Sequence, residues 1–144
     1  MLIKKIRAED YPNALSLVLT VFLQYEAPDY PEQGVQSFKA AISDQAFLDS
    51  LEMWGAYSDD NIFGVIAFKN QGCHIALLFV DSAHHRKGIG RSLFETALET
   101  IDSDIITVNS SPYAVEFYRK LGFIPTSSEQ CTDGILYTPM TYTK

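Results

Sequence analysis

The side chains best placed to do chemistry lie in Leu77 to Glu95, which reads LLFVDSAHHRKGIGRSLFE. An apolar run ends at Val80, His84 to Lys87 collect in a loop, and Gly88-Ile89-Gly90 leads into a helical pattern. A strand, a loop and a helix start in that order aim successive backbone N–H groups and the positive end of a helix at one point. Phosphate or pyrophosphate is the natural occupant of such a point. Glycine at 88 and 90 lets the main chain approach without a side chain in the way. Arg86, Lys87 and Arg91 add local positive charge. Two common phosphate loops are excluded. A Walker loop needs Lys after its last glycine, whereas Lys87 precedes Gly88. The dinucleotide fingerprint needs a third glycine where Leu93 stands.

A second candidate segment is VNSSPYAVEFYRKLGF, Val108 to Phe123, in which a short strand ends at Asn109 and a helix presents Tyr118. A third is the acidic, aromatic stretch YEAPDYPEQG, Tyr25 to Gly34, read as a loop. Its Tyr25, Glu26 and Asp29, with Tyr30 and Glu32, would attract a cationic amine. The pairs Cys73-His74 and His84-His85 lack the spacing of a zinc site, so no metal is expected, and His84 is expected in solvent. Cys73 and Cys131 form no CxxC pair and read as free thiols, small buried residues of strands.

Periodicity supplies the elements that must position these groups. Leu2 to Arg7 alternates as a strand, and Glu9, Asp10 and Pro12 open a helix that ends before Pro28. A second helical region carries Val35, Phe38, Ala41 and Ile42, followed by a turn around Phe47 to Leu51. Three strands follow: Met53 to Ser58, Ile62 to Lys69 and Cys73 to Val80. A helix from about Gly88 to Ser103, a strand from Ile105 to Val108 and a helix from Pro112 to a Gly122 cap come next. Phe123–Gln130 and Ile135–Tyr142 close the chain as a hairpin turned at Asp133-Gly134. The expectation is one α/β (α+β) domain over residues 1–144. It has a single mixed, mostly antiparallel sheet of about seven strands, flanked by about four helices.

Composition narrows the function classes. Eleven Lys and Arg against eighteen Asp and Glu give a formal net charge of −7, which disfavours nucleic acid as a partner. Eight Tyr, nine Phe and one Trp argue against disorder. The N-terminal MLIKKIRAED builds no signal-peptide core, and no apolar run reaches the ~18–20 residues of a membrane span. A soluble, cytoplasmic protein with no membrane partner is expected.

In this order and spacing, the two later segments together resemble the Gcn5-related N-acetyltransferase (GNAT) superfamily. His85-Arg86-Lys87-Gly88-Ile89-Gly90 matches the family's Gln/Arg-x-x-Gly-x-Gly/Ala motif, with His85 where the family prefers Gln or Arg. Asn109, Ala114, Phe117, Tyr118, Leu121, Gly122 and Phe123 match its Asn…Ala-x-x-Phe-Tyr-x-x-Leu-Gly-Phe pattern. The resemblance implies the acyl-CoA N-acyltransferase fold, acetyl-CoA as acyl donor and an amine, on a small molecule or a peptide, as acceptor. It implies that the backbone at Leu78, Phe79 and Val80 holds the pantetheine arm. The loop from His85 through Arg86, Lys87, Gly88, Ile89, Gly90 and Arg91 to Ser92 would cradle the pyrophosphate. Asn109 and Tyr118 would stand at the thioester. Tyr118 would be the general acid toward the leaving thiolate and His74 the base, with Glu26 and Asp29 in reserve. Tyr25, Glu26 and Asp29 would meet the acceptor, and a homodimer is compatible with the resemblance. A binding module without turnover, an acyl-CoA sensor, is the alternative reading.

Overall fold

The computed structural model describes all 144 residues. Strand β1 (Leu2–Lys5) pairs with β2 (Glu52–Ser58), β2 with β3 (Asn61–Lys69) and β3 with β4 (His74–Val80), all antiparallel. Strand β5 (Ile105–Ser110) runs parallel to β4, and β8 (Ile135–Thr143) lies antiparallel beside β5. Two short strands, β6 (Ile124–Pro125) and β7 (Gln130–Thr132), pair with β8 and complete a mostly antiparallel eight-stranded sheet. Five helices cover it: α1 (Tyr11–Tyr25), α2 (Glu32–Ile42), α3 (Gln45–Asp49), α4 (Ile89–Leu98) and α5 (Val115–Leu121).

The sheet separates two apolar layers. On one face Val18, Phe22 and Val35 of α1 and α2 pack on Met53, Val65, Leu77 and Phe79. On the other, Leu93, Phe94 and Leu121 of α4 and α5 pack on Ile66, Phe68, Ile106 and Met140. No helix is long and apolar enough to cross a membrane.

Several elements differ from the sequence expectation, each for a local reason. Phe47 sits in a true helix, α3, because the Asp44 carboxylate caps the Ala46 amide at 3.0 Å. Helix α2 begins at Glu32 and so absorbs Gly34 from the expected loop. Gly34 there meets Gly134 so closely that a methyl group on either would collide with the other's backbone. Helix α4 stops at Leu98, where the Thr100 and Ile101 amides turn back to Ala97 and Leu98 in tighter bonds. The expected strand Phe123–Gln130 is two strands, β6 and β7, because the polar Thr126–Glu129 stretch leaves the sheet between them. The Asp133-Gly134 turn stands as expected, with φ of 52° and 80° at the two residues. The two cysteines are not buried strand residues: Cys73 is half-buried in the turn before β4, and Cys131 is exposed on β7.

Two irregularities in β4 matter most. Phe68 pairs with Ile75 but Ala67 pairs with Leu77, so Ala76 is an extra, unpaired residue. The bulge flips the faces of the strand: Ile75 joins the α4 layer, whereas Leu77 and Phe79 join the α1 layer. Moreover β4 and β5 pair only at His74–Thr107 and Ile75–Val108, after which the strands separate.

Candidate functional site

The gap between β4 and β5 exposes one edge of β4. The Asp81 amide donates to the Phe63 carbonyl at 2.8 Å, which makes Gly64 and Val80 a non-hydrogen-bonded pair. The N–H and C=O of Val80 therefore turn away from β3, and by the same alternation so do those of Leu78. Phe79 turns its own polar groups to Val65 and its ring into the core against Phe38, so its backbone is not on the open edge.

The loop after β4 is built for an anion. Arg86 and Gly88 have φ of 64° and 76°, which turn successive amides to one side before α4 begins. The amides of Arg86 through Arg91 make no hydrogen bond within the chain, so the N-terminus of α4 is fully open to a ligand. Gly90 packs under the Phe117 ring so tightly that a methyl group would stand 2.8 Å from Cζ. A cavity of about 610 Å³ lies along this loop, between Leu78, Val80, Gly88, Gly90, Phe117 and Tyr118. A cradle of free amides beside an apolar trough fits a pyrophosphate with a long, mainly apolar arm.

Three loop residues depart from simple expectation. His85 Nε2 lies 2.6 Å from the Val80 carbonyl, so the side chain caps the strand end rather than reaching outward. The His84 ring is only partly in solvent; it stacks on Phe63 at 4.3 Å, its Nδ1 buried and 3.5 Å from the Asp81 carboxylate. Lys87 is exposed and Ser92 lies within the first turn of α4, neither lining the cavity, whereas Arg86 and Arg91 do.

A second cavity, about 220 Å³, lies under α2 and α3 on the α1 face of the sheet. It shares Glu26, Leu78, Phe79, Ala114 and Tyr118 with the first, so the two meet at the strand gap. Glu26 follows α1 and stands at that junction. Burial pushes its carboxyl from the ordinary 4.5 up to about 7; the buried Ser111 hydroxyl opposes the rise and the Asp29 charge adds to it. Ser111 Oγ is buried and has no hydrogen-bond partner within the chain. Tyr118, 5% exposed, is held between the Phe117 and Phe123 rings. Burial and the nearby Glu26 charge raise its phenol well above the ordinary value. Tyr30, whose hydroxyl donates to the Leu136 carbonyl at 3.2 Å, is raised by burial and by the same carboxylate.

The remaining candidates are distributed unevenly. Tyr25 belongs to the first cavity, where its ring bridges His85 at 4.8 Å and Tyr113 at 5.2 Å. Asp29 is exposed and lines neither cavity. Asn109 and His74 line the second cavity, not the first. His74 Nδ1 lies 2.7 Å from Thr107 Oγ1, and burial, with the Lys69 charge beside it, lowers the imidazole pKa below its ordinary value. Sequence reasoning missed Ser111, Tyr113 and Lys69. Ser111 and Tyr113 follow Asn109 within the second segment and could have been found there; Lys69 carried no local signal.

Comparison with known proteins gives concordant results. A family model described as an acetyltransferase (GNAT) domain matches residues 26–144. An uncharacterized Bacillus subtilis protein, YxbD, is 37% identical over 84 residues, 52% of each chain, so this chain spans about half the length of that curated relative. A GCN5-related N-acetyltransferase from Rhodopseudomonas palustris superposes with a TM-score of 0.84 at 22% identity, covering 99% of this chain and 95% of that one. The PaiA N-acetyltransferase of Thermoplasma acidophilum, solved in complex with coenzyme A, gives 0.80 at 19% identity, covering 99% and 98%.

Proposed function

The chain belongs to the GNAT acetyltransferase family, and from that premise we propose that it moves the acetyl group of acetyl-CoA to a primary amine by direct attack in a ternary complex. Acetyl-CoA, when bound, supplies the activated acetyl group and a thiolate leaving group. The open β4 edge at Leu78 and Val80 and the free amides of Arg86 to Arg91 would hold it in the larger cavity. The acceptor would enter the smaller one.

The observation that carries this reading is the junction, where Glu26 and Tyr118 both line the two cavities and the Glu26 charge acts on the Tyr118 phenol. An ammonium cannot attack, so the amine must lose a proton. A carboxyl held at about 7 is half ionised at neutral pH and basic enough to take it. The leaving sulfur must gain a proton, and the buried Tyr118 hydroxyl remains protonated to donate one. The two steps reinforce each other. Protonating Glu26 removes the negative charge that holds the Tyr118 proton in place, so Tyr118 becomes the stronger acid when it is needed. His74, fixed against Thr107 in the acceptor cavity, serves better as a wall of that cavity than as its base.

Calorimetric titration with acetyl-CoA, and with CoA for comparison, tests the donor half. Micromolar binding to both is expected, with Tyr118→Phe retaining it while turnover falls about 100-fold or more. Failure to bind either at millimolar concentration would remove the transferase reading. Unchanged turnover in Tyr118→Phe would remove Tyr118 from the mechanism.

A further inference from the structure

The second cavity carries charge of opposite sign at its two ends. Glu26 stands at the strand gap, and Lys69 lies at the far end beside His74, its direct partner across the β3–β4 ladder. The bulge at Ala76 brings His74 opposite Lys69. The β3 core residue Phe68 lies in the α4 layer, so its neighbour Lys69 faces the α1 layer and the cavity. Lys69 is half-buried and makes no ion pair within the chain. Its charge is felt by His74, which it disfavours from protonation. Asn109 lines the same cavity. Between the ends the walls are apolar: Phe38, Phe47, Ile42 and Leu77. From His74 to Leu78 the strand covers about 13 Å at ordinary strand rise, enough for a short chain between two charged groups.

Resting on the reading that this cavity receives the acceptor, we propose that the acceptor is a compact amino carboxylate. Its amine stands at Glu26, its short apolar body lies among Phe38, Phe47 and Leu77, and its carboxylate meets Lys69. A polyamine would set a second cation against Lys69 in a site of low dielectric. A plain alkylamine would leave the lysine without a counter-charge.

The test titrates the CoA-loaded protein calorimetrically with ω-amino carboxylates of increasing chain length, each against the n-alkylamine of the same length, for wild type and Lys69→Met. Wild type is expected to bind at least one amino carboxylate about 10- to 100-fold more tightly than its alkylamine. Lys69→Met should bind the two alike, with the alkylamine bound at least as tightly as by wild type, which also shows that the variant folds. Equal or tighter binding of the alkylamine by wild type, no binding of any amino carboxylate, or a preference that survives Lys69→Met would each overturn the proposal. The same titrations on CoA-free protein keep the two readings apart. Loss of CoA binding with the carboxylate preference intact would remove the transferase reading and leave the Lys69 subsite standing.

Discussion

Glu26→Gln should stabilise the protein at alkaline pH and do little at acid pH. The folded chain holds the Glu26 carboxyl at about 7 against an ordinary 4.5, chiefly because it is buried. Between those values the folded state binds more protons than the unfolded one, so stability contributed by this group falls as pH rises through the window. Glutamine fits the same space and does not ionise, so its advantage grows as the wild-type carboxylate is forced to charge. Integrating from pH 5 to pH 8.5 gives about 2.5 kcal/mol in favour of the variant. At a urea slope of roughly 2 kcal/mol per molar, the midpoints should separate by about 1 M more at pH 8.5 than at pH 5. Urea titrations of both ligand-free proteins, followed by tryptophan fluorescence at the two pH values, measure this directly. Midpoints that move in parallel with pH would mean that Glu26 titrates as an ordinary exposed carboxylate. Its assignment as a base matched to neutral pH would then fail.

Gly34→Ala should cost about 2 kcal/mol or more, because the new methyl group meets the Gly134 backbone rather than a movable side chain; a urea titration reads it. Donor binding should weaken several-fold as salt rises from low to physiological levels, since Arg86 and Arg91 beside the free amides supply screened attraction. A salt-independent Kd would locate the pyrophosphate elsewhere. His74→Gln should raise the acceptor KM yet leave the inflection of the pH–rate profile near 7, because His74 lines the acceptor cavity away from the shared junction.

The parts of this fold that were legible in the sequence are those fixed by local chemistry. Alternation marked the strands, Asp133-Gly134 marked its hairpin, and glycine with basic residues marked the loop before α4. The missed elements depend on distant partners. Strands β6 and β7 exist because β8 offers them two separate stretches of its free edge. One face of the His84 ring is covered because Phe63 of β3 lies beneath it. The same division runs through the site. Tyr118 was visible within its own segment, whereas the standing of Glu26 comes from burial beneath elements far from it in sequence, against which the Ser111 hydroxyl works. An acidic, proline-containing stretch gives no sign that one of its carboxylates is largely covered while Asp29, three residues on, is exposed.

The most direct test is the pH dependence of amine-dependent thiol release from acetyl-CoA, for wild type and Glu26→Gln, with a primary amine at saturating concentration. Wild type should release thiol at a rate that rises with pH through an inflection near 7. Glu26→Gln should lose about 100-fold or more of the rate together with that inflection. A wild-type profile without the inflection, or a Glu26→Gln profile superimposable on it, would contradict proton transfer at the junction of the two cavities.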